Sequence, residues 1–338
     1  MSNKKMKVLV TGAAGFLGSH LAEQLYNLGH EVVGIDNMLG GYEDNVPRDI
    51  KFHKMDCCDF KNVKNIMKGI DVVYHCAATA HEGLSVFSPF EITKNNYLAS
   101  VAIFSAAVNE KVKRIIFCSS MARYGSQQSP FDEKMKPKPV DPYAISKVAS
   151  EEVLKNLCEL NGIEWVIAVP HNIIGPRQKY DDPFRNVVSI MINRMMQGKA
   201  PIIYGDGKQT RCFSYIDDCL SCLIPMLDQK NLNKEVINIG PDEEFVTINK
   251  IAEVCSNITG VNLNPIYKKD RPQEVKHATC SADKARKLLN YKTTVDLFSG
   301  IKNTFEYIKK RGVKPFDYHI ELEIDNELTP ETWKKREI

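Results

Sequence analysis

VLVTGAAGFLGSHLAEQL, Val8 to Leu25, sets an apolar strand-like run, three spaced glycines and a helix-like periodicity in immediate succession. Gly12, Gly15 and Gly18 occupy the turn between the two patterns. A residue without a Cβ lets the chain turn tightly and lets another group approach its backbone, while the N–H groups that open a helix have no partner inside it. A pyrophosphate suits such a turn. Asp36 closes the next apolar run, VVGIDN, 18 positions beyond Gly18. This is close to the roughly 20 positions expected of a carboxylate that holds the adenosine ribose hydroxyls; its charge would repel a 2′-phosphate, so NAD is expected rather than NADP. Asp56, at the end of the third apolar run, is a second acid within reach of an adenine or a solvated strand end.

Outward from this turn, the runs KVLVT, EVVGID, IKFHKMD, DVVYHCA, KRIIFCS and EWVIAV alternate with helical stretches such as PFEITKNNYLASVAIFSAAVNE. That rhythm predicts an α/β fold: a doubly wound parallel Rossmann sheet covered by helices on both faces. Past Pro170 the rhythm breaks into Gly- and Pro-containing segments, GPRQKYDDPF, YGDGKQTR and KKDRPQEVK. We therefore expect an NAD-binding Rossmann domain over 1–170 and a smaller C-terminal substrate-binding lobe with a tail over 171–338. RCFSYIDD and EVINIG, near 211–240, can return to the first sheet. The final segment, FDYHIELEIDNELTPETW, carries no pattern that assigns it.

Composition narrows the partners. In 338 residues, 45 Lys and Arg stand against 42 Asp and Glu, with no dense basic tract, so neither nucleic acid nor an anionic membrane surface is implied. Lys4, Lys5 and Lys7 ahead of VLVTGAAGFLG imitate a signal peptide, but the apolar stretch is short and its glycines are already accounted for. A cytoplasmic protein is expected. Ten scattered cysteines then read as reduced thiols. Cys219 and Cys222 form a C-x-x-C without a second pair or a histidine cluster, on one face of a helical pattern, so core packing is expected and no metal.

DPYAISK, residues 141 to 147, has the signature of a helix start, with Asp141 as N-cap and Pro142 in the first turn. Tyr143 and Lys147 stand four apart and so share a face, where an ammonium near a phenol favours the phenolate, a general base near neutral pH. Ser120 follows an apolar run 23 residues earlier. Serine, tyrosine and lysine together suit removal of a proton from an alcohol while its carbon loses hydride to NAD.

TGAAGFLG, Ser120 and YAISK resemble the extended short-chain dehydrogenase/reductases, most closely the UDP-sugar 4-epimerases, over roughly the first 310 residues. NIIGPRQ, GDGKQTRCFSYIDD and DRPQEVKHATCSADKA are similar to that family's nucleotide-sugar segments. The resemblance implies that Phe16 and Leu17 meet the pyrophosphate, and that Asn37, Cys57, Cys76, Ala77, Ala78, Asn95 or Asn96, and Pro170 line the cofactor. It implies Asn172, Arg211 and Arg271 on the diphosphate of a UDP-sugar, Tyr204 beside the base, and Ala278 facing the sugar 2-substituent. Ala278 would leave space for an acetamido group, so UDP-N-acetylhexosamines or their uronic acids stand beside UDP-hexoses. Val169 and Cys212 depart from the family's usual Arg and Asp. His171 reads as a pocket wall. A homodimer through helices near 90–109 and 142–160 is also implied.

FCSSMARYG, residues 117 to 125, separates the activities in this family. The resembling 4,6-dehydratases place Asp-Glu directly after the hydroxyl residue, decarboxylases keep the Glu, and 3,5-epimerases use a Cys there. Met121 and Ala122 hold those positions here and neither moves a proton. The expectation is an NAD-dependent UDP-sugar 4-epimerase that passes through a 4-keto sugar. A nucleotide-sugar reductase with the same three catalytic residues, or a catalytically silent NAD-binding regulator, remain the alternatives.

Overall fold

The computed structural model describes residues 5–338; Lys4 of the basic N-terminal run lies outside the described residues. Six strands arise from the six apolar runs: β1 (Lys7–Thr11), β2 (Glu31–Asp36), β3 (Lys51–Lys54), β4 (Val72–His75), β5 (Arg114–Cys118) and β6 (Glu164–Pro170). Short strands follow: β7 (Ile173–Ile174), β8 (Ile202–Tyr204), β9 (Thr210–Arg211) and β10 (Ser214–Tyr215), then β11 (Glu235–Ile239), β12 (Val246–Thr247), β13 (Ile266–Lys268) and β14 (His277–Ala278). Seven strands form one parallel sheet in the order β11-β6-β5-β4-β1-β2-β3.

Strand side chains alternate faces, and both faces of this sheet are apolar. Val8 and Val10 enter one core cluster and Leu9 the other. The same split places Val72 and Tyr74 opposite Val73, and Ile116 and Cys118 opposite Ile115 and Phe117. The helices that cover the faces include α1 (Phe16–Asn27), α2 (Phe60–Met67), the short α3 (Glu82–Ser85) and α4 (Pro89–Thr93). A π-turn over Lys94–Leu98 leads into α5 (Ala99–Asn109), and α6 (Pro142–Asn161) follows β5. α6 starts where the sequence places it: Asp141 accepts the Ala144 N–H at 2.8 Å, Pro142 stands in the first turn, and Gly162 ends the helix at φ +67°. Such a cap contributes about 1 kcal/mol.

The segment EVINIG supplies β11, whereas RCFSYIDD does not extend the main sheet. β11 already takes the position beside β6, and β10 pairs instead with β7. Beyond α7 (Val187–Met196), α8 (Ile216–Leu223) carries Cys219 and Cys222 into the first sheet cluster; all ten cysteines are free.

A third cluster joins α7 to the helices Ile248–Thr259 and Leu297–Arg311. The tail that the sequence left unassigned docks through Ile320, Trp333 and Ile338 onto Leu84, Phe87 and Phe184. Among the described residues no helix is long and apolar enough to cross a membrane.

Candidate active site

One cleft runs from the C-terminal ends of β1 and β2, past β5, to the arginines of the C-terminal half. At its first end Gly12 turns at φ +73°, and a Cβ there would lie 3.0 Å from the Ala77 backbone. A Cβ on Gly18 would overlap the Gly12 carbonyl oxygen, so this strand and helix pack at a distance only glycine allows. Gly15 caps α1 without a side chain, which leaves the helix N–H groups open to an anion. The Asp36 carboxylate accepts from Ala14 N at 3.0 Å and Met38 N at 2.7 Å; burial pushes its pKa up, and these N–H groups oppose that. The donor set therefore fits a dinucleotide.

Phe16, Leu17, Asn37, Asp56, Cys57 and Cys76 line the same cleft, as do Ala77, Ala78, Asn95 and Pro170. Asn96 does not. It is buried, donating to the carbonyls of Thr79 at 3.0 Å and Ile92 at 2.8 Å while accepting from Thr79 N at 3.1 Å. Its amide braces the loop after β4, and the turn of the helix gives the lining position to Asn95.

Ser120 stands where β5 ends, its Oγ accepting the Ala122 N–H at 3.2 Å. Beneath it, Ser119 donates to Glu151 at 2.5 Å, and Arg123 grips both oxygens of that carboxylate at 2.9 and 2.8 Å. Glu151 is wholly buried, so the ion pair anchors the loop that carries Ser120. Tyr143 is 6% exposed and lines the cleft with Ser120; burial pushes its phenol up to about 12, and the Ser120 hydroxyl and the Arg185 charge pull the other way. Lys147 donates to the Cys118 carbonyl at 2.8 Å, and burial brings its pKa down to about 8.

The expected phenolate is thus not produced by Lys147 alone. Its ammonium is tied to a backbone carbonyl, 6.0 Å from the Tyr143 ring centre, and desolvation of the phenol dominates.

At the far end Asn172, Tyr204, Arg211 and Arg271 all line the cleft. Asn172 donates to the Cys212 carbonyl at 2.9 Å, and Arg271 lies over the Tyr204 ring at 5.0 Å. Both arginines face Glu274, which Arg271 contacts at 3.1 Å and Arg211 at 3.7 Å. Burial would raise that acid, but the two guanidinium groups outweigh it and hold Glu274 below the usual carboxylate range. Ala278 is placed differently from expectation. β14 pairs with β9 so that Ala278 sits opposite Arg211, 4% exposed in the second sheet cluster and not on the cleft. His171 is a buried wall whose Nε2–H donates to the Pro241 carbonyl at 3.1 Å, and burial brings its pKa down to about 4. The departures Val169 and Cys212 are both buried.

Several lining residues had no signal in the sequence. Glu82, at the start of α3, opens onto the cleft, yet protein encloses the cleft around it. That enclosure pushes its pKa up; Asp141 adds to the effect, and Arg211 and Arg271 oppose it. Arg185 contributes positive charge to Tyr143 and Lys147. The tail adds His319, Trp333 and Ile338 to the wall, and Thr332 meets the Tyr204 hydroxyl at 2.6 Å. The loop after β4 was legible as a strand end, but no periodicity marks the segments that carry Arg185 or the tail.

Residues 8–240 match the sequence model of the NAD dependent epimerase/dehydratase family. The chain is similar to the UDP-N-acetyl-alpha-D-glucosaminuronate decarboxylase of Bacillus cytotoxicus, 30% identical over 321 residues that cover 90% of this chain and 98% of that protein. Its fold is similar to the UDP-glucose 4-epimerase of Thermotoga maritima, solved with UDP-glucose, at 31% identity and TM-score 0.85 over 90% of this chain and 99% of that one. It is equally similar to the UDP-glucuronic acid 4-epimerase of Bacillus cereus, solved with UDP-glucuronic acid and NAD. There the identity is 32% and the TM-score 0.84, over 91% of this chain and 100% of that one.

Proposed function

The chain belongs to the NAD dependent epimerase/dehydratase family, and from that premise we propose that it inverts C4 of a UDP-sugar. The observation that carries this reading is Ser120 and Tyr143 on one wall of the cleft, with Ser120 followed by Met121 and Ala122, which have no proton to move. Ala122 is buried within the cluster that holds Tyr143, so an apolar methyl stands where an acid would be needed.

Bound NAD supplies the acceptor and then the donor of one hydride, and its oxidised ring carries a positive charge. Ser120 orients the sugar 4-hydroxyl, and Tyr143 takes its proton and later returns it. Lys147 brings a further positive charge, held in place by the Cys118 carbonyl. Arg211 and Arg271 grip the diphosphate, since a guanidinium fork matches phosphate oxygens. The 4-keto sugar turns about that link and presents its other face for reduction, so no external reductant is consumed.

Arg185, which lines the cleft and acts by its charge on Tyr143 and Lys147, favours a sugar that carries a carboxylate, a UDP-hexuronic acid. The acetamido argument from Ala278 is not available, because that residue is in the core.

Glu82 favours a second reading. Oxidation of a uronic acid at C4 creates a β-keto acid that can lose carbon dioxide, and an acid with a raised pKa is suited to protonate C5.

Incubation with UDP-glucuronate, UDP-glucose and UDP-N-acetylglucosamine, followed by proton NMR, separates these outcomes. Inversion at C4 with all six carbons retained supports the epimerase; a UDP-pentose supports the decarboxylase. Stoichiometric conversion of added NAD to NADH with build-up of a 4-keto sugar would assign a nucleotide-sugar oxidoreductase, the reverse of the reductase, instead.

The reading includes a homodimer through α5 and α6. Exposed Phe90, Leu98 and Ile145, on or beside these helices, support it. Light scattering after size exclusion tests it.

A further inference from the structure

Two imidazoles from distant parts of the chain converge on one buried carboxylate at the edge of the cleft. His81 stands before α3, His319 is in the tail, and Asp182 lies between them; one ligand atom from each lies within 4.8 Å of the others. Asp182 Oδ1 accepts from Phe184 N at 2.9 Å, which fixes the carboxylate. Its Oδ2 is 2.6 Å from His81 Nε2 and 3.9 Å from His319 Nε2.

The second contact is chemically incomplete. His319 Nδ1 is 2.9 Å from the Asp317 carbonyl, which can only accept, so Nδ1 carries a hydrogen and Nε2 is the nitrogen that can present a lone pair to a ligand. That Nε2 is buried without a hydrogen-bond partner, on a side chain 9% exposed, facing the lone pairs of a carboxylate whose side chain is 4% exposed. Two facing lone pairs call for a shared electrophile between them, a proton on Nε2 or a metal ion. A carbonyl that pins the far nitrogen is also how proteins set the tautomer of a metal-ligating histidine.

We infer that His81, Asp182 and His319 form a site for a divalent ion of the zinc class. Two imidazole nitrogens and one carboxylate oxygen are a donor set that suits zinc, with bonds of roughly 2.0–2.2 Å and about 3.3 Å between ligand atoms in a tetrahedron. The separations of 2.6 and 3.9 Å lie on either side of that value, so a small rotation of the Asp182 carboxylate away from His81 and toward His319 equalises them. The ion displaces the proton shared by His81 and Asp182, which leaves to solvent. All three residues line the cleft, so the fourth position opens inward to an oxygen ligand, and the ion fastens the tail to the loop before α3. The inference is independent of which reaction the cleft performs.

The test uses the purified full chain after dialysis against a chelator, titrated with Co2+ and then Zn2+. One Co2+ per chain is expected, with the visible absorption of a tetrahedral site, release of a proton, and displacement by Zn2+. His319→Ala and Asp182→Asn should each weaken Co2+ binding more than about tenfold, since these are ligands and even supporting residues are worth that much. NAD binding by the same variants, measured in parallel, reports that they are folded. Absence of saturable Co2+ absorption in the unaltered chain overturns the site, as does undiminished binding by a folded His319→Ala variant.

Discussion

The Ser85 hydroxyl lies 3.2 Å from Asp141 Oδ1, the same oxygen that caps α6 by accepting from Ala144 N at 2.8 Å. One carboxylate thus ties the short helix that presents Glu82 to the helix that presents Tyr143. Asp141→Ala removes the cap and leaves the Ser85 hydroxyl only the Glu82 carbonyl at 2.7 Å, so a loss of about 1 kcal/mol is expected. Thermal unfolding measures that loss, and a parallel fall in kcat would show that the tie positions Tyr143.

Tyr143→Phe keeps the ring in its buried place and deletes only the oxygen that, in the proposed reaction, moves the proton. Turnover should fall by roughly 10²–10⁴-fold while NAD is retained. Steady-state assay together with cofactor content of the purified variant checks both halves.

Glu82 raises the Tyr143 phenol through its charge, although burial is the larger cause. Glu82→Gln removes that charge and should move the acidic limb of the kcat–pH profile, where Tyr143 loses its proton and becomes the base, to lower pH, by up to about one unit. If Glu82 is instead the proton donor to C5, the same variant loses pentose formation without such a movement, and product analysis at each pH tells the two apart.

Glu151 is buried against Arg123 and Ser119. Removing one partner of such a pair leaves an uncompensated charge, so Glu151→Ala should cost about 3–5 kcal/mol and displace the Ser120 loop. Denaturant unfolding reports the first effect and kcat the second.

His75 is buried between the Thr11 and Ser100 hydroxyls, and burial takes its pKa down to about 3; His171 is likewise down to about 4. A histidine whose folded pKa lies below its unfolded value of roughly 6.5 takes up protons first in the unfolded chain. Stability is therefore present above pH ~6.5 and is lost as pH falls toward the folded values, at up to about 1.4 kcal/mol per pH unit for each group. Unfolding midpoints between pH 7 and about pH 4 should decline on this slope, and His171→Gln should flatten it.

The glycine turn, the six strands, the capped start of α6 and the pairing of Tyr143 with Lys147 on one face were all legible in the chain itself. Each is a local pattern: alternation with period two, helical spacing, a cap and a glycine conformation act within a few residues. The end of the cleft that fits a dinucleotide follows the same local logic, because it is built on the first strand, turn and helix.

Tertiary structure decided what local patterns leave open. Asn95 and Asn96 are adjacent in the π-turn, and only its packing turns one toward the cleft and the other toward Thr79 and Ile92. Ala278 goes to the core because of β14's pairing with β9, a contact between segments far apart in sequence. The environment of Tyr143 follows the same rule: the i, i+4 spacing brings Lys147 near, but burial sets the direction of its shift. Glu82, Arg185, Asp182 and His319 reach the cleft from a short helix, two loop positions and the tail. No period links such segments, since their meeting depends on how the sheet, the C-terminal lobe and the docked tail close on one another. Proximity and desolvation are properties of that closed arrangement, and charges acquire their chemistry from it.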